Sequence, residues 1–266
     1  MRALLAQLTP EPGALAENVM RAADAIRSHA EVAIAVFPEL FLSGYRLDDL
    51  DSVACEAAGP ELGEVAAACA AADTAAIVGF TERDGSWFRN SAACIDRDGE
   101  LVGTFRKAQL FGAEAGAFTE GERLLVVELA GRAVAPLICF DVEFPELARA
   151  AAMAGADLLV TVAANMEPFG REHLIHTTAR ALENRTPHLY VNRGGREGGF
   201  EFVGESRAID SDGAVIVEAA GGEDELLVAE VGPRRSTDAR VDYLAFEPSR
   251  LPVDVKTRSH SQGGSA

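Results

Sequence analysis

Residues 135–146 read APLICFDVEFPE: an apolar run closes on Cys139, and Asp141, Glu143 and Glu146 follow directly behind it. The run has the length and composition of a buried strand, and Pro145 suits the first turn of a helix, where a missing N–H is no loss. A free cysteine at the end of a buried strand is ordinarily inert core. Three carboxylates crowded behind the thiol raise the question of what else in the chain reaches the sulfur.

Upstream, the chain repeats the same grammar. The apolar run Ala3 to Leu8 is followed by Leu15, Val19, Ala22, Ala23 and Ile26 at the spacing of one helix face, then by a second apolar run, Val32 to Phe37, that ends at Pro38. This is a strand, helix, strand unit of the parallel type. A helix near 61–72 and strands near 75–82, 87–95 and 100–106 follow, with turns at Asp84-Gly85 and at DRDG, 96–99.

Downstream, strands near 124–129 and 132–139 are joined by a tight turn at Gly131, and a helix follows Pro145. Next come a strand at 158–163, a helix near 171–183, a strand at 187–192 and an antiparallel pair joined by Asp212-Gly213. The alternation predicts an α/β protein with mixed sheets, each carrying helices on one side. Residues 232–266 lose the pattern, and the end SHSQGGSA is expected to be disordered.

With 266 residues, 48% of them hydrophobic, the chain supports one sizeable core. A net charge of −18 argues against nucleic acid, whose phosphates require a basic stripe. No apolar run approaches the length of a membrane span, and the start MRALLAQLTPEPG has neither a proper apolar signal region nor a cleavage site, so a cytoplasmic location is expected. The four cysteines, Cys55, Cys69, Cys94 and Cys139, form no metal-ligand spacing and read as reduced thiols. His173 and His176 stand three apart in a helical segment but lack further metal-binding context, and read as helix-face residues. No metal and no cofactor is expected.

Ligands of α/β folds bind beyond the carboxyl ends of parallel strands. AIAVFPEL, 33–40, leaves Glu39 just past Pro38; LVGTFRKAQLFG, 101–112, leaves Arg106 and Lys107 at a strand end; AVAPLIC, 133–139, ends on Cys139. A carboxylate, an amine and a thiol therefore stand at corresponding ends of three strands. Each alone has an ordinary reading, as a solvated glutamate, a loop lysine or a core cysteine.

Together, FPEL, RKxxLF and CFDVEFPE resemble, in order and separation, the three signature segments of the nitrilase superfamily of carbon–nitrogen hydrolases. NSAACIDRDGELVGTFRK, AANMEPFG, ARALENRTPHLYVNRGG and GESRAIDSDGAVI also resemble family segments, so the resemblance covers nearly all of residues 1–231. It implies a four-layer α-β-β-α sandwich over 1–231, with 232–258 as a C-terminal extension that contributes to assembly and 259–266 as a disordered tail. It implies a glutamate, lysine and cysteine triad that falls on Glu39, Lys107 and Cys139. Many members carry a second glutamate after the lysine, followed by phenylalanine and glycine; EAGAFTEG matches with Glu114, Phe118 and Gly121.

The implied chemistry is hydrolysis of a small primary amide to carboxylate and ammonia through a cysteine thioester. Glu39 would take the thiol proton and pass it to departing ammonia, then activate water. Lys107 and the Phe140 backbone N–H would stabilise the oxyanion, and Glu114 would position lysine and substrate. Phe140, Glu143, Asn165 and Met166 are the candidate substrate-binding residues. Asp141 and Glu146 are expected to serve structure by capping the helix or pairing with an arginine.

The aspartate, apolar, glutamate pattern after Cys-aromatic resembles the subgroup containing 5-aminopentanamidase and R-stereoselective amidases. Glu143 is accordingly expected either to attract a substrate ammonium or to act behind the pocket wall as a hydrogen-bonding residue. Gln109 departs from the subgroup, which often has histidine there, and so weakens detailed transfer of substrate. Cys-Phe-Asp, where true nitrilases typically have Cys-Trp-Glu, favours amide or carbamoyl cleavage; an N-carbamoyl amine or amino acid hydrolase is the nearest rival, ahead of a nitrilase or a non-catalytic binding protein. Relatives usually assemble, so a homodimer or larger homo-oligomer is expected.

Overall fold

A computed structural model describes residues 1–234 and Leu244. The first strand, β1 (Arg2–Gln7), is buried along almost its whole length, as its unbroken apolar run requires of a strand covered on both faces. Helix α1 (Leu15–Ser28) buries the predicted stripe Val19, Ala22, Ala23 and Ile26. Strand β2 (Ile34–Val36) leads to the one-turn helix α2 (Leu50–Val53) and to α3 (Pro60–Ala72), which starts on a proline and buries Leu62, Val65, Ala68 and Cys69. The antiparallel run β3 (Ala75–Asp84), β4 (Trp87–Ile95) and β5 (Leu101–Arg106) completes the first half.

The second half holds β6 (Val127–Leu129), β7 (Arg132–Ile138), α4 (Pro145–Met153), β8 (Leu158–Ala163), α5 (Gly170–Asn184) and β9 (His188–Asn192). A short hairpin, β10 (Arg196–Glu197) and β11 (Phe200–Glu201), precedes β12 (Arg207–Ile209), β13 (Val215–Glu218) and β14 (Glu225–Glu230). Among the described residues two six-stranded sheets form, ordered β14-β1-β2-β3-β4-β5 and β13-β12-β9-β8-β7-β6.

Period-two alternation assigns each face. Leu5, Val36, Ile77 and Phe105 of the first sheet meet Val134, Ile138, Val160 and Leu189 of the second in a shared apolar core. The intervening Leu4, Ala35, Ala76 and Val78 turn outward to α1 and α3, and Ala135, Leu137 and Leu159 turn outward to α4. The layers run α-β-β-α, the sandwich expected from the sequence.

Strands β1, β2 and β3 are parallel, and two antiparallel pairings return β5 to the direction of β3. The ends carrying Glu39 and Lys107 therefore lie at one edge of the first sheet. In the second sheet β7, β8 and β9 are parallel, so Cys139 shares its edge with the residues that follow β8.

The differences from the sequence reading are local. The strand expected from 124 begins at Val127, while α2, the β10–β11 hairpin and β14 were not anticipated. β14 pairs antiparallel with β1, from Arg2 opposite Glu230 to Gln7 opposite Glu225, so the sheet is finished by a segment more than two hundred residues away. The extension 232–258 and the tail 259–266 lie, apart from 232–234 and Leu244, outside the described residues. No helix among the described residues is long and apolar enough to cross a membrane.

Candidate active site

Glu39 is delivered by the turn that ends β2. Leu40 adopts φ 50°, and a Cβ on Gly79 would come within 2.2 Å of Pro38 O and 2.7 Å of Glu39 Cα, so only glycine lets β3 lie against this turn. The buried Glu39 carboxylate gathers three donors: Asn90 Nδ2 at 2.7 Å and Lys107 Nζ at 2.6 Å on Oε1, and the Ala164 N–H at 2.7 Å on Oε2. The last of these crosses from one sheet to the other.

Lys107 extends past the end of β5, its backbone held by Asn90 O and by the Gly121 N–H. A Cβ on Gly121 would lie 2.1 Å from Arg106 O, which accounts for the glycine of the Glu-Phe-Gly pattern. Phe118 packs with Leu40 beside the Glu39 turn. Glu114, in a short 3-10 turn at 112–116, accepts from Lys107 Nζ, with 3.0 Å to Oε1 and 2.8 Å to Oε2.

One ammonium is thus enclosed by two carboxylates, all three side chains being almost fully buried. Burial alone would lower the lysine pKa, but Glu39 and Glu114 outweigh it and raise it well above its usual value. Burial raises the Glu114 pKa, opposed by Lys107. The lysine is therefore a fixed cation in a poorly solvated site.

Cys139 stands at the corner between β7 and a 3-10 turn, 139–143, with φ 46°. A non-glycine residue in the left-handed region costs on the order of 1–3 kcal/mol and persists where surrounding structure holds it. The hold here is Asp141, whose Oδ2 accepts the Ile138 N–H at 3.1 Å and whose Oδ1 accepts the Gln109 and Ala108 N–H groups at 2.8 and 3.2 Å. Asp141 serves structure, as expected, but neither at the start of α4 nor with an arginine: it holds the start of the 3-10 turn and ties the cysteine corner to the loop after Lys107. Burial pushes its carboxyl up to about 7, against Lys107 and the backbone donors. Glu146 is exposed in the first turn of α4, where the helix dipole favours an anion, but makes no capping bond.

The Cys139 thiol pKa is raised well above its usual value, first by burial and then by the Glu39 charge, with Lys107 opposing. The sulfur is held as a thiol until a base takes its proton. Cys55, Cys69 and Cys94 are free, buried and pushed up to about 12, mainly by burial, without such a cluster around them.

Cys139 opens onto a cavity of about 20 Å³ lined by Phe140, Glu143, Asn165 and Met166, with Phe111, Phe169 and His173 completing the wall. Phe111 meets Phe140 edge-on at 5.3 Å and Phe169 at 5.8 Å. Asn165 is braced, its N–H donating to Asn192 Oδ1 and its amide to Phe169 O. Glu143 faces His173 Nε2 at 3.4 Å and His176 Nε2 at 3.9 Å, and its pKa is lowered chiefly by the contact with His173. Tyr190 OH lies 3.0 Å from His173 Nδ1.

Sequence reasoning did not find Asn90 or Tyr45, whose hydroxyl donates to Glu114 at 2.9 Å, nor the placement of His173 in the cavity wall. Their elements carried no strand-end signal, since Asn90 lies inside β4 and Tyr45 in a loop. Among the described residues no group of three or more His, Cys, Asp or Glu side chains is placed to hold a metal ion.

A buried carboxylate, an enclosed ammonium and a cornered thiol at abutting sheet edges define a hydrolase site, and the carbon–nitrogen hydrolase family profile matches residues 2–241. The chain belongs to this family, within the nitrilase superfamily, and acts on carbon–nitrogen bonds. It is 34% identical over 267 residues to an (R)-stereoselective amidase of Pseudomonas sp., covering 99% of this chain and 96% of that one. A mutant of the amidase from Nesterenkonia sp. AN1, solved with the acetamide moiety of fluoroacetamide covalently added at its active-site cysteine, is 30% identical with a TM-score of 0.82, covering 93% of both chains. Another mutant of that amidase, solved with butyramide, is 30% identical with a TM-score of 0.81 over 92% of this chain and 93% of its own.

Proposed function

We propose that the chain hydrolyses a small primary amide to carboxylate and ammonia through a thioester on Cys139. The observation that carries this reading is the Lys107 ammonium, fixed between Glu39 and Glu114 at the edge where Cys139 emerges. Glu39 takes the thiol proton as sulfur attacks the carbonyl carbon, and the carbonyl π pair moves onto oxygen. Lys107 and the Phe140 N–H face that oxyanion. The tetrahedral adduct collapses, the C–N bond breaks, and Glu39 returns the proton to the departing nitrogen. Glu39 then deprotonates a water that cleaves the thioester, and sulfur recovers its proton.

Glu114 positions Lys107, and Asn165 and Met166 bound the cavity. Glu143, a half-buried carboxylate steadied by His173, attracts an ammonium on the substrate. The covalent capture of an acetamide moiety by the Nesterenkonia amidase cysteine supports a nucleophilic role for Cys139.

The test is ammonia release from short primary amides, including amino acid amides, 5-aminopentanamide and glutamine-type ω-amides, with Cys139→Ala as control. Release that disappears in the variant supports the proposal. Carbon dioxide formation from N-carbamoyl amines, without ammonia from any amide, would replace it with carbamoyl hydrolysis. A homo-oligomer is part of the same reading, supported by exposed Leu174, Ile175 and Leu182 on α5. A monomer in sedimentation at micromolar concentration would refute that part.

A further inference from the structure

Outside the sulfur cavity lies a chamber of about 570 Å³ whose wall shares Phe111 and Met166 with it. The two spaces differ in what they can hold. A cavity of about 20 Å³ has room for roughly one water-sized group, since about 10–15 Å³ is needed for a single water. The chamber lies in the range of small-molecule sites, which run from about 300 to 1,000 Å³. A substrate whose carboxamide occupies the neighbourhood of Cys139 must therefore place the rest of its acyl group past Phe111 and Met166.

The chamber wall is largely apolar. Tyr45, Leu47, Phe111, Met166 and Phe200 are its large apolar lining residues. Arg46 pairs with Asp48 at 3.1 Å, and Glu197 pairs with Arg193 and accepts the Tyr45 N–H. The unpartnered Glu197 oxygen, Oε1, packs against Gly44. The β10–β11 hairpin turns at Gly198 and Gly199, both with positive φ, and carries Phe200 against the Tyr45 ring at 5.9 Å. An alkyl or aryl group seated there would meet aromatic and aliphatic surface, whereas the wall carboxylates Asp48 and Glu197 are each already engaged by an arginine.

We propose that this chamber is the acyl-substituent subsite, and that the preferred substrates are primary amides with an apolar acyl group. The proposal rests on the amidase reading. An ammonium at the far end of the acyl chain is disfavoured, because it would lie among Leu47 and Phe200 and could gain Asp48 or Glu197 only in competition with Arg46 or Arg193; an amine recognised by Glu143 must sit beside the scissile carbonyl. Tyr45 joins the subsite to Lys107 by way of Glu114, since the ring that walls the chamber carries the hydroxyl bound to Glu114.

The experiment compares kcat/KM for acetamide, hexanamide and 6-aminohexanamide in the wild-type chain and in Phe200→Ala and Leu47→Ala. A fully buried methylene is worth roughly fourfold in binding, and about half of that is expected in an open chamber. Hexanamide should exceed acetamide by at least about tenfold, 6-aminohexanamide should fall at least about tenfold below hexanamide, and both variants should shrink the hexanamide-to-acetamide ratio. A ratio near one, or one unchanged in both variants, overturns the subsite. Calorimetric affinities of acetamide and hexanamide for Cys139→Ala test the subsite without turnover: tighter hexanamide binding supports it and equal binding overturns it. Absence of turnover of every amide by the wild-type chain refutes the amidase reading instead.

Discussion

Asp141 accepts the Gln109 N–H at 2.8 Å, joining the corner that carries Cys139 to the loop that carries Lys107. The bond goes to the backbone of residue 109, so the glutamine in place of the histidine often found in relatives leaves this tie intact. One carboxylate also holds Ile138 and Ala108, fixing thiol and ammonium relative to each other across two sheets.

Asp141→Asn should therefore damage rate more than binding. An amide presents an N–H₂ where one carboxylate oxygen accepted, leaving at least one buried backbone donor unpaired at a cost of about 1–3 kcal/mol. Displacement of the Cys139 corner should lower kcat by about a hundredfold with KM changed far less. Steady-state kinetics on the best amide, beside a urea midpoint, separates the two effects.

Lys107→Ala should leave Glu39 and Glu114 as buried, uncompensated neighbours. Breaking such an ion cluster costs about 3–5 kcal/mol, and removal of an oxyanion donor costs a further hundredfold or more in kcat. With the cation gone, the main opposition to the burial that raises the Glu114 pKa is lost, so the variant's stability deficit relative to wild type should shrink as pH falls from 7 towards 5. A deficit independent of pH would show that Lys107 does not hold the Glu114 carboxylate in its charged form.

Gly79→Ala places a methyl 2.2 Å from Pro38 O and 2.6 Å from Leu40 N. The turn must shift, moving Glu39 away from Asn90 and Lys107. Activity should fall at least about a hundredfold, with much slower reaction of Cys139 with a neutral amide-like electrophile such as acrylamide, while circular dichroism remains that of the folded protein.

His188 is fully buried between Thr161 Oγ1 at 2.8 Å and Thr177 O at 3.2 Å, and burial pushes its pKa down to about 4. The unfolded chain binds this proton near pH 6.5 and the folded chain only near 4, so the unfolded state carries more protons between these values. Stability from this group is complete above about 6.5 and is lost as pH falls towards 4, by roughly 3 kcal/mol at most. Urea midpoints at pH 7 and 4.5 should differ less in His188→Gln than in the wild-type chain.

Much of this architecture was legible one segment at a time. The apolar stripe of α1, the unbroken apolar run of β7 and the proline opening α4 are local signals of helix and strand. β14 escaped because an edge strand with half-exposed residues, ELLVAE, has a weak pattern, and its pairing with β1 is a property of the two segments together. Glu143 likewise was visible as a choice between two roles, while its contacts with His173 and His176 required α5 to lie against the cysteine corner.

The sequence by itself determined that Glu39, Lys107 and Cys139 leave their strands at carboxyl ends, and its resemblance to a family ordered them into one site. Tertiary structure alone decided that Asn90 and the Ala164 N–H close on Glu39, that Tyr45 reaches Glu114, and that Asp141 braces Gln109 rather than a helix end. The physical reason is range. Periodicity and turn chemistry act over a few residues, whereas these bonds span up to 125 positions, and those of Ala164 and Asp141 exist only once two sheets have packed with their strand ends at a common edge.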